Sequence, residues 1–206
     1  MNTTTELDTK SSLIKVSRRL FSKAGFDQVS VRMICQEVGC NVSSISYHFG
    51  GKEALYRACL EANGQGVHTI TMQILQNPQS REDFESKLRL FLERFYGHLC
   101  ENADAVGMMV YELRAAQPLA NDIIEKYYMD VPRKIEKFLN EAKAKGIIDV
   151  SIDTNLVSDL MLSKAFNAIF FEDLKRKMDG TCIHENSVRT NIVEQTMRIF
   201  TGGIYA

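Results

Sequence analysis

Tryptophan is absent from this chain of 206 residues, proline occurs only three times, and neither sign of charge prevails: 25 lysines and arginines stand against 26 aspartates and glutamates. Each shortage excludes something. With so few prolines, little interrupts long helices, since proline removes a backbone donor and clashes with the preceding turn. No apolar run approaches the roughly 20 residues that a membrane-spanning helix needs. The polar start, MNTTTELDTKSS, has no apolar core of a secretory signal. The five cysteines (Cys35, Cys40, Cys59, Cys100, Cys182) include no C-x-x-C pair, which predicts reduced thiols in a cytoplasm, most of them acting as small buried hydrophobes.

Catalytic constellations are lacking too. His48, His68, His98 and His184 stand apart, with no H-x-x-x-H spacing, so no metal site is expected. Ser46 and His48 lie two residues apart on a predicted helix and point in different directions, with no acid placed to orient the imidazole. Gly50-Gly51-Lys52 is followed by Glu53 and lacks the upstream glycine of a phosphate loop. Neither catalytic residues nor a cofactor is expected, and the chain does not read as an enzyme.

What is present is helical periodicity. Hydrophobic residues make up 45% of the chain and charged residues 25%, enough for one large domain or two small ones with a sizeable core. Leu13, Val16, Leu20 and Ala24 predict a helix over 9–24, stopped by Gly25. Ser30 is a good cap for a second helix, whose apolar face is Val31, Ile34, Cys35 and Val38. Gly39 ends it, and Asn41 caps a third helix over 42–48. Two helices joined by so tight a glycine-containing turn form a helix-turn-helix. Further helices are predicted over 52–76, 81–101, 104–116, 119–145 (bent at Pro132), 153–178 and 186–202. The fold class is all-α: a three-helix N-terminal domain over residues 1–54 and a larger helical domain over 55–206, about nine helices together.

Charge is spread unevenly. Residues 1–60 carry eight basic and five acidic side chains, whereas the remainder is net acidic. A basic head on an acidic body points to a polyanionic partner at the N-terminal end.

The stretch NVSSISYHFGGKEAL, Asn41–Leu55, has the residues to meet it. On a wheel of about 100° per residue, Val42, Ile45 and Phe49 form an inward stripe. Ser43 and Tyr47 point away, with Ser44, Ser46 and His48 on the flanks. Serine hydroxyls bond base edges or phosphates and allow close approach to a major groove. Tyr47 and His48 reach phosphate oxygens. Lys52 stands at the next helix's N-terminus, where free N–H groups already favour an anion, and Ser30 with Arg32 forms a similar clamp.

Phe21-Ser-Lys-Ala-Gly-Phe26, Ser30-Val31-Arg32, Val38-Gly39 and above all Tyr47-His48-Phe49 followed by Gly51-Lys52-Glu53-Ala54-Leu55 resemble the TetR family of bacterial transcriptional regulators over residues 9–60. The resemblance implies a ligand-responsive repressor that binds a double-stranded DNA operator and leaves it when a small-molecule effector binds the C-terminal domain. It implies a homodimer formed through the last two helices. It carries DNA contact onto Ser30, Arg32, Val42, Ser43, Ser44, Ser46, Tyr47, His48 and Lys52. The recognition helix has no Arg, Lys, Asn or Gln after its cap. Bidentate base readout is therefore absent from its middle, and preference must lean on serine contacts, thymine-methyl contact from Val42 and DNA shape.

The predicted helix over 153–178 is apolar nearly all round, which calls for burial on two sides, one of them against a partner subunit. An effector pocket would be apolar with a few polar anchors. Its candidate residues are His68, Met72, Tyr96, Met108, Tyr111, Glu112, Arg114, Tyr127, Phe166 and Phe170. The competing reading is a helical small-molecule-binding or scaffold protein whose helix-turn-helix does not bind DNA.

Overall fold

A computed structural model describes residues 3–115 and 118–204, with side chains from residue 9 to residue 202. Among these residues the chain is helical, with no strand. The helices are α1 (Thr3–Gln28), α2 (Val31–Val38), α3 (Ser43–Phe49), α4 (Lys52–Ile74), α5 (Arg81–Glu101), α6 (Ala103–Arg114), α7 (Asn121–Ile123), α8 (Asp130–Ala144), α9 (Thr154–Phe170), α10 (Glu172–Asp179) and α11 (Asn186–Ile204). A π turn, Ile124–Tyr128, follows α7.

The chain divides into two compact units. One is Met1–Gln65 with Asn102–Lys126, and the other is Gly66–Glu101 with Tyr127–Ala206. In the first unit α1 packs mainly on α6 and then on α2. Leu13, Phe21, Ile34, Ile45, Leu55 and Leu60 are fully buried there, each stabilising the unit by about 1.5–3 kcal/mol relative to exposure. Phe21, Phe26 and Tyr56 form an aromatic triangle with ring centroids 5.1–6.0 Å apart. In the second unit, α5 packs on α11 and α8 on α9, around Phe84, Leu88, Phe91, Phe95, Phe138 and Leu139. Phe84 stacks on Phe138 at 5.2 Å.

Glycine acts as the sequence implies at Gly25, whose φ of 75° and ψ of 175° leave the helical region. Gly39, at φ 77°, closes α2 in the left-handed conformation. α4 runs through Gly64 and Gly66 without a break, because Gly66 has a different task. A Cβ there would collide with the His98 ring, so glycine at this position lets α5 approach α4.

Three expectations need correction. The helix over 119–145 is interrupted by the π turn rather than bent at Pro132. Pro132 falls in the first turn of α8, where the missing N–H has no intrahelical partner to lose. The helix over 153–178 is two helices, α9 and α10, meeting at Phe171 (φ −103°, ψ 19°). The break coincides with Glu172, whose carboxylate accepts from Arg176 at 2.6 Å and pairs with His184 at 3.1 Å; no proline or glycine marks it in the sequence. α6 ends at Arg114, and the expected end at residue 116 lies outside the described residues.

Overpacking a close helix crossing costs about 1–3 kcal/mol. Gly66→Ala is expected to lower the urea-unfolding stability by that amount, and a midpoint equal to that of the parent protein would contradict the role given to Gly66.

Candidate nucleic-acid interface and effector residues

The N-terminal helices are set by side-chain caps. Ser30 is extended (φ −96°, ψ 153°), and its Oγ accepts from the Met33 N–H at 3.1 Å. This satisfies one of the orphan donors of α2 and is worth about 1 kcal/mol. Arg32 is exposed at the first turn of the same helix. At the far end of α2, Gly39 turns the chain. Asn41 Oδ1 then accepts from the Ser43 N–H at 3.0 Å and from the Ser43 hydroxyl at 2.9 Å. Asn41 thus caps α3 as expected, although regular helix is first assigned at Ser43. Val42 already has helical dihedrals (φ −57°, ψ −31°).

α3 presents the polar face that its sequence predicts. Tyr47 is 74% exposed, Ser43 and Ser46 are exposed, and Ser44 and His48 are half-buried on the flanks. Tyr47 and His48 meet edge to face at 4.9 Å. The inward stripe is narrower than the wheel implies. Ile45 is fully buried and Phe49 half-buried, but Val42 is 50% exposed. The reason is that Val42 sits where the turn enters the helix, before a complete turn can cover it. Its methyls are therefore on the outer surface, where the resemblance puts a thymine-methyl contact.

Lys52 begins α4, and its Nζ lies 4.1 Å from the centre of the Phe26 ring. Such a contact contributes about 0.5–1 kcal/mol at an accessible site, and it restricts where the ammonium can swing. Sequence reasoning does not single out Lys10. Its Nζ lies 5.7 Å from the Phe49 ring, which brings a second cation to the end of α3. Only its membership of the basic head could have signalled it. An Arg19–Glu37 ion pair braces α1 against α2.

The effector candidates fall in two groups. In the first unit, Tyr111, Glu112 and Arg114 line a half-open cleft of 660 Å³ together with Gly25, Phe26 and Tyr56. Met108 is fully buried in the core beside them in sequence. Glu112 is a buried carboxylate rather than a free anchor. It accepts from Tyr56 Oη at 3.0 Å and from the Ala120 N–H. Arg57 adds a two-pronged bond to Asp122, at 2.9 and 2.7 Å. That guanidinium holds the Asp122 carboxyl below its ordinary range.

In the second unit, His68 Nε2 lies 3.2 Å from Asp130 Oδ2 and edge-on to Tyr127 at 5.8 Å. Met72 is half-buried. Phe166 and Phe170 face each other at 6.4 Å. Tyr96 is 1% exposed, and its hydroxyl has no hydrogen-bond partner among the described residues. Burial pushes its phenol well above the ordinary range, so it remains a neutral donor. No group of three or more metal-ligating side chains occurs among the described residues.

Comparison with known proteins agrees with this geometry. Residues 13–59 match the family described as "Bacterial regulatory proteins, tetR family". The HTH-type transcriptional regulator UidR of Escherichia coli K12 is 25% identical over 183 residues, covering 82% of this chain and 85% of that protein. The structure of the ketosteroid transcriptional regulator KstR2 of Mycobacterium tuberculosis superposes with a TM-score of 0.75 at 16% identity, covering 96% of this chain and 95% of that one. The TetR family transcriptional regulator PfmR from Thermus thermophilus superposes with a TM-score of 0.71 at 18% identity, covering 90% and 97%. Capped helix-turn-helix and sequence match converge: residues 13–59 carry the DNA-binding module of the bacterial tetR family, and the chain is similar over most of its length to an HTH-type transcriptional regulator.

Proposed function

We propose that this regulator is a repressor whose N-terminal residues 1–54 read operator DNA and whose residues 55–206 bind a small-molecule effector and pair two subunits. The observation that carries the reading is the exposed hydroxyl and phenol face of a capped α3 (Ser43, Ser46 and Tyr47), with the half-buried His48 imidazole on its flank. Ser44 extends this face. Arg32 stands exposed at α2, and half-buried Lys52 begins α4 with its ammonium beside the Phe26 ring. Short polar side chains suit close groove contact, and the flanking cations suit phosphates. Ser30 and Val42 complete the contact set.

Two copies are needed to meet successive major grooves about 34 Å apart. The outer side of α9 supports pairing there: Leu156 and Leu160 are 54% and 53% exposed, and Ile199 on α11 is 72% exposed. These leucines lie opposite the buried face of Thr154, Ser158, Met161 and Ala165.

Release from DNA follows from linkage. An effector that binds one subunit arrangement more tightly shifts the population away from the arrangement that fits the operator. Within the first unit, Tyr56–Glu112 and Arg57–Asp122 join α4 to α6 and α7, so a displacement of α6 reaches the start of α4. The orphaned Tyr96 hydroxyl supports an effector that is mostly apolar and carries a hydrogen-bond acceptor. An unpaired buried donor costs about 1–3 kcal/mol, which such a ligand would recover. The protein acts in the cytoplasm; no described helix is long and apolar enough to cross a membrane.

The test is a salt-dependent gel shift with a footprint on the DNA flanking the protein's own gene. A protected pseudo-palindrome is expected, and no protection on any nearby intergenic DNA would favour the scaffold reading. Lys52→Ala should weaken binding across sequences and flatten the slope of log affinity against log salt by about one unit; an unchanged slope removes Lys52 from the phosphate contacts. Leu160→Glu should give monomers by light scattering, and an intact dimer would move the interface elsewhere.

A further inference from the structure

The turn of the helix-turn-helix contains two of the five cysteines, and its backbone forces them together. The N–H groups of Gly39 and Cys40 both donate to the Cys35 carbonyl, at 2.9 and 3.0 Å. A bond spanning five residues, closed by a left-handed glycine, is the helix-terminating arrangement that brings the side chain after the glycine onto the side chain of the last turn. In most proteins that contact is between two apolar side chains. Here both are thiols, and Cys35 and Cys40 line the same groove.

Their exposures differ in a useful way. Cys35 is 3% exposed, and Cys40 is half-buried. Both line an open groove of 430 Å³ bounded by Arg32, Gln36, Asn41 and Val42. Cys59 and Cys100 are buried elsewhere, and burial pushes the Cys59 thiol up to about 12.

We propose that Cys35 and Cys40 are a redox-active dithiol, oxidised by hydrogen peroxide to a disulfide that weakens DNA binding. The accessible thiol reacts first. The Cys40 sulfur, deprotonated, attacks one peroxide oxygen; the O–O bond breaks, hydroxide leaves and is protonated to water, and Cys40 becomes a sulfenic acid. The Cys35 sulfur, having given up its proton, then attacks the Cys40 sulfur. The S–O bond breaks, and hydroxide departs as a second water with that proton. Two thiols are oxidised by two electrons, and one hydrogen peroxide is reduced. Burial raises the Cys35 thiol to about 11, so it resolves rather than initiates, and its adjacency to Cys40 offsets its weak ionisation.

The consequence for DNA rests on the functional reading above. A disulfide is about 2.05 Å long, shorter than any non-bonded approach of two sulfurs, so its formation draws Cys40 toward α2. Asn41 is the next residue, and it holds the cap of α3 through Ser43. Exposed Val42 and the whole reading face follow that cap.

The experiment uses the full-length protein carrying Cys182→Ser, which removes the other half-exposed thiol. After treatment with hydrogen peroxide and blocking of free thiols, trypsin cuts after Arg32 and Lys52 and releases one peptide holding both cysteines. That peptide should be lighter than its reduced form by two hydrogens, about 2 Da. DNA affinity should fall at least about tenfold and return with dithiothreitol, and Cys40→Ser should show neither change. A peptide carrying two blocking groups, or Cys40 oxidised to the sulfinic acid without a disulfide, overturns the dithiol. A disulfide formed with DNA affinity unchanged overturns the switch. Reduced protein that binds no DNA contradicts the functional reading alone, while the peptide mass still decides the dithiol.

Discussion

The N-terminal unit depends on one buried carboxylate. Glu112 is 4% exposed, and an ionised group in that position is costly unless it is hydrogen-bonded. It is held by the Tyr56 hydroxyl at 3.0 Å and by the Ala120 N–H. Three elements meet at this point: α4 through Tyr56, α6 through Glu112 itself, and the entry to α7 through Ala120. Removing the carboxylate would break both of these hydrogen bonds, at about 0.5–1.5 kcal/mol each. Tyr56 also stands edge-on to Phe21 and Phe26, and the Phe26 ring carries the Lys52 ammonium. A continuous set of contacts therefore runs from the last turn of α6 to the cation that follows α3. On the proposed reading, α6 is the element through which an effector would move the DNA-facing end.

The proposed reading surface is economical in charge. α3 offers hydroxyls, a phenol and an imidazole, and its cations come from neighbouring elements: Lys52 from α4, Lys10 from α1 and Arg32 from α2. Such a division separates two tasks. Phosphate contacts fix position and set the salt dependence, whereas base edges meet small polar groups. With so few strong base contacts, the geometry of α3 relative to the groove matters more than any one side chain. A dithiol at the turn would act on that geometry, since it sits one residue before the cap.

Much of this was legible in the sequence where local chemistry dictates structure. Ser30, Gly39 and Asn41 are caps or stops because of their own side chains or lack of one, and each does what its type implies. The polar face of α3 follows from period alone. Tertiary relations were harder. Glu112 looked like a polar anchor for a ligand, because nothing in its flanking residues reveals a tyrosine 56 positions earlier. Val42 read as inward because a helical wheel does not account for where the helix begins. The break at Phe171 has no glycine or proline to announce it; it coincides with bonds from Glu172 to residues beyond α10. The contact between Cys35 and Cys40 was hidden for the opposite reason: a five-residue spacing matches no familiar thiol motif, yet a left-handed glycine closes it.

On the proposed function, the α3 surface reads a two-fold DNA site. Selection of bound fragments from a random DNA pool by the purified, reduced protein tests it most directly. The expected outcome is enrichment of an inverted repeat whose half-sites lie about one helical turn apart, with enrichment lost as salt rises. Recovery of no sequence above the unselected pool at low salt would contradict it.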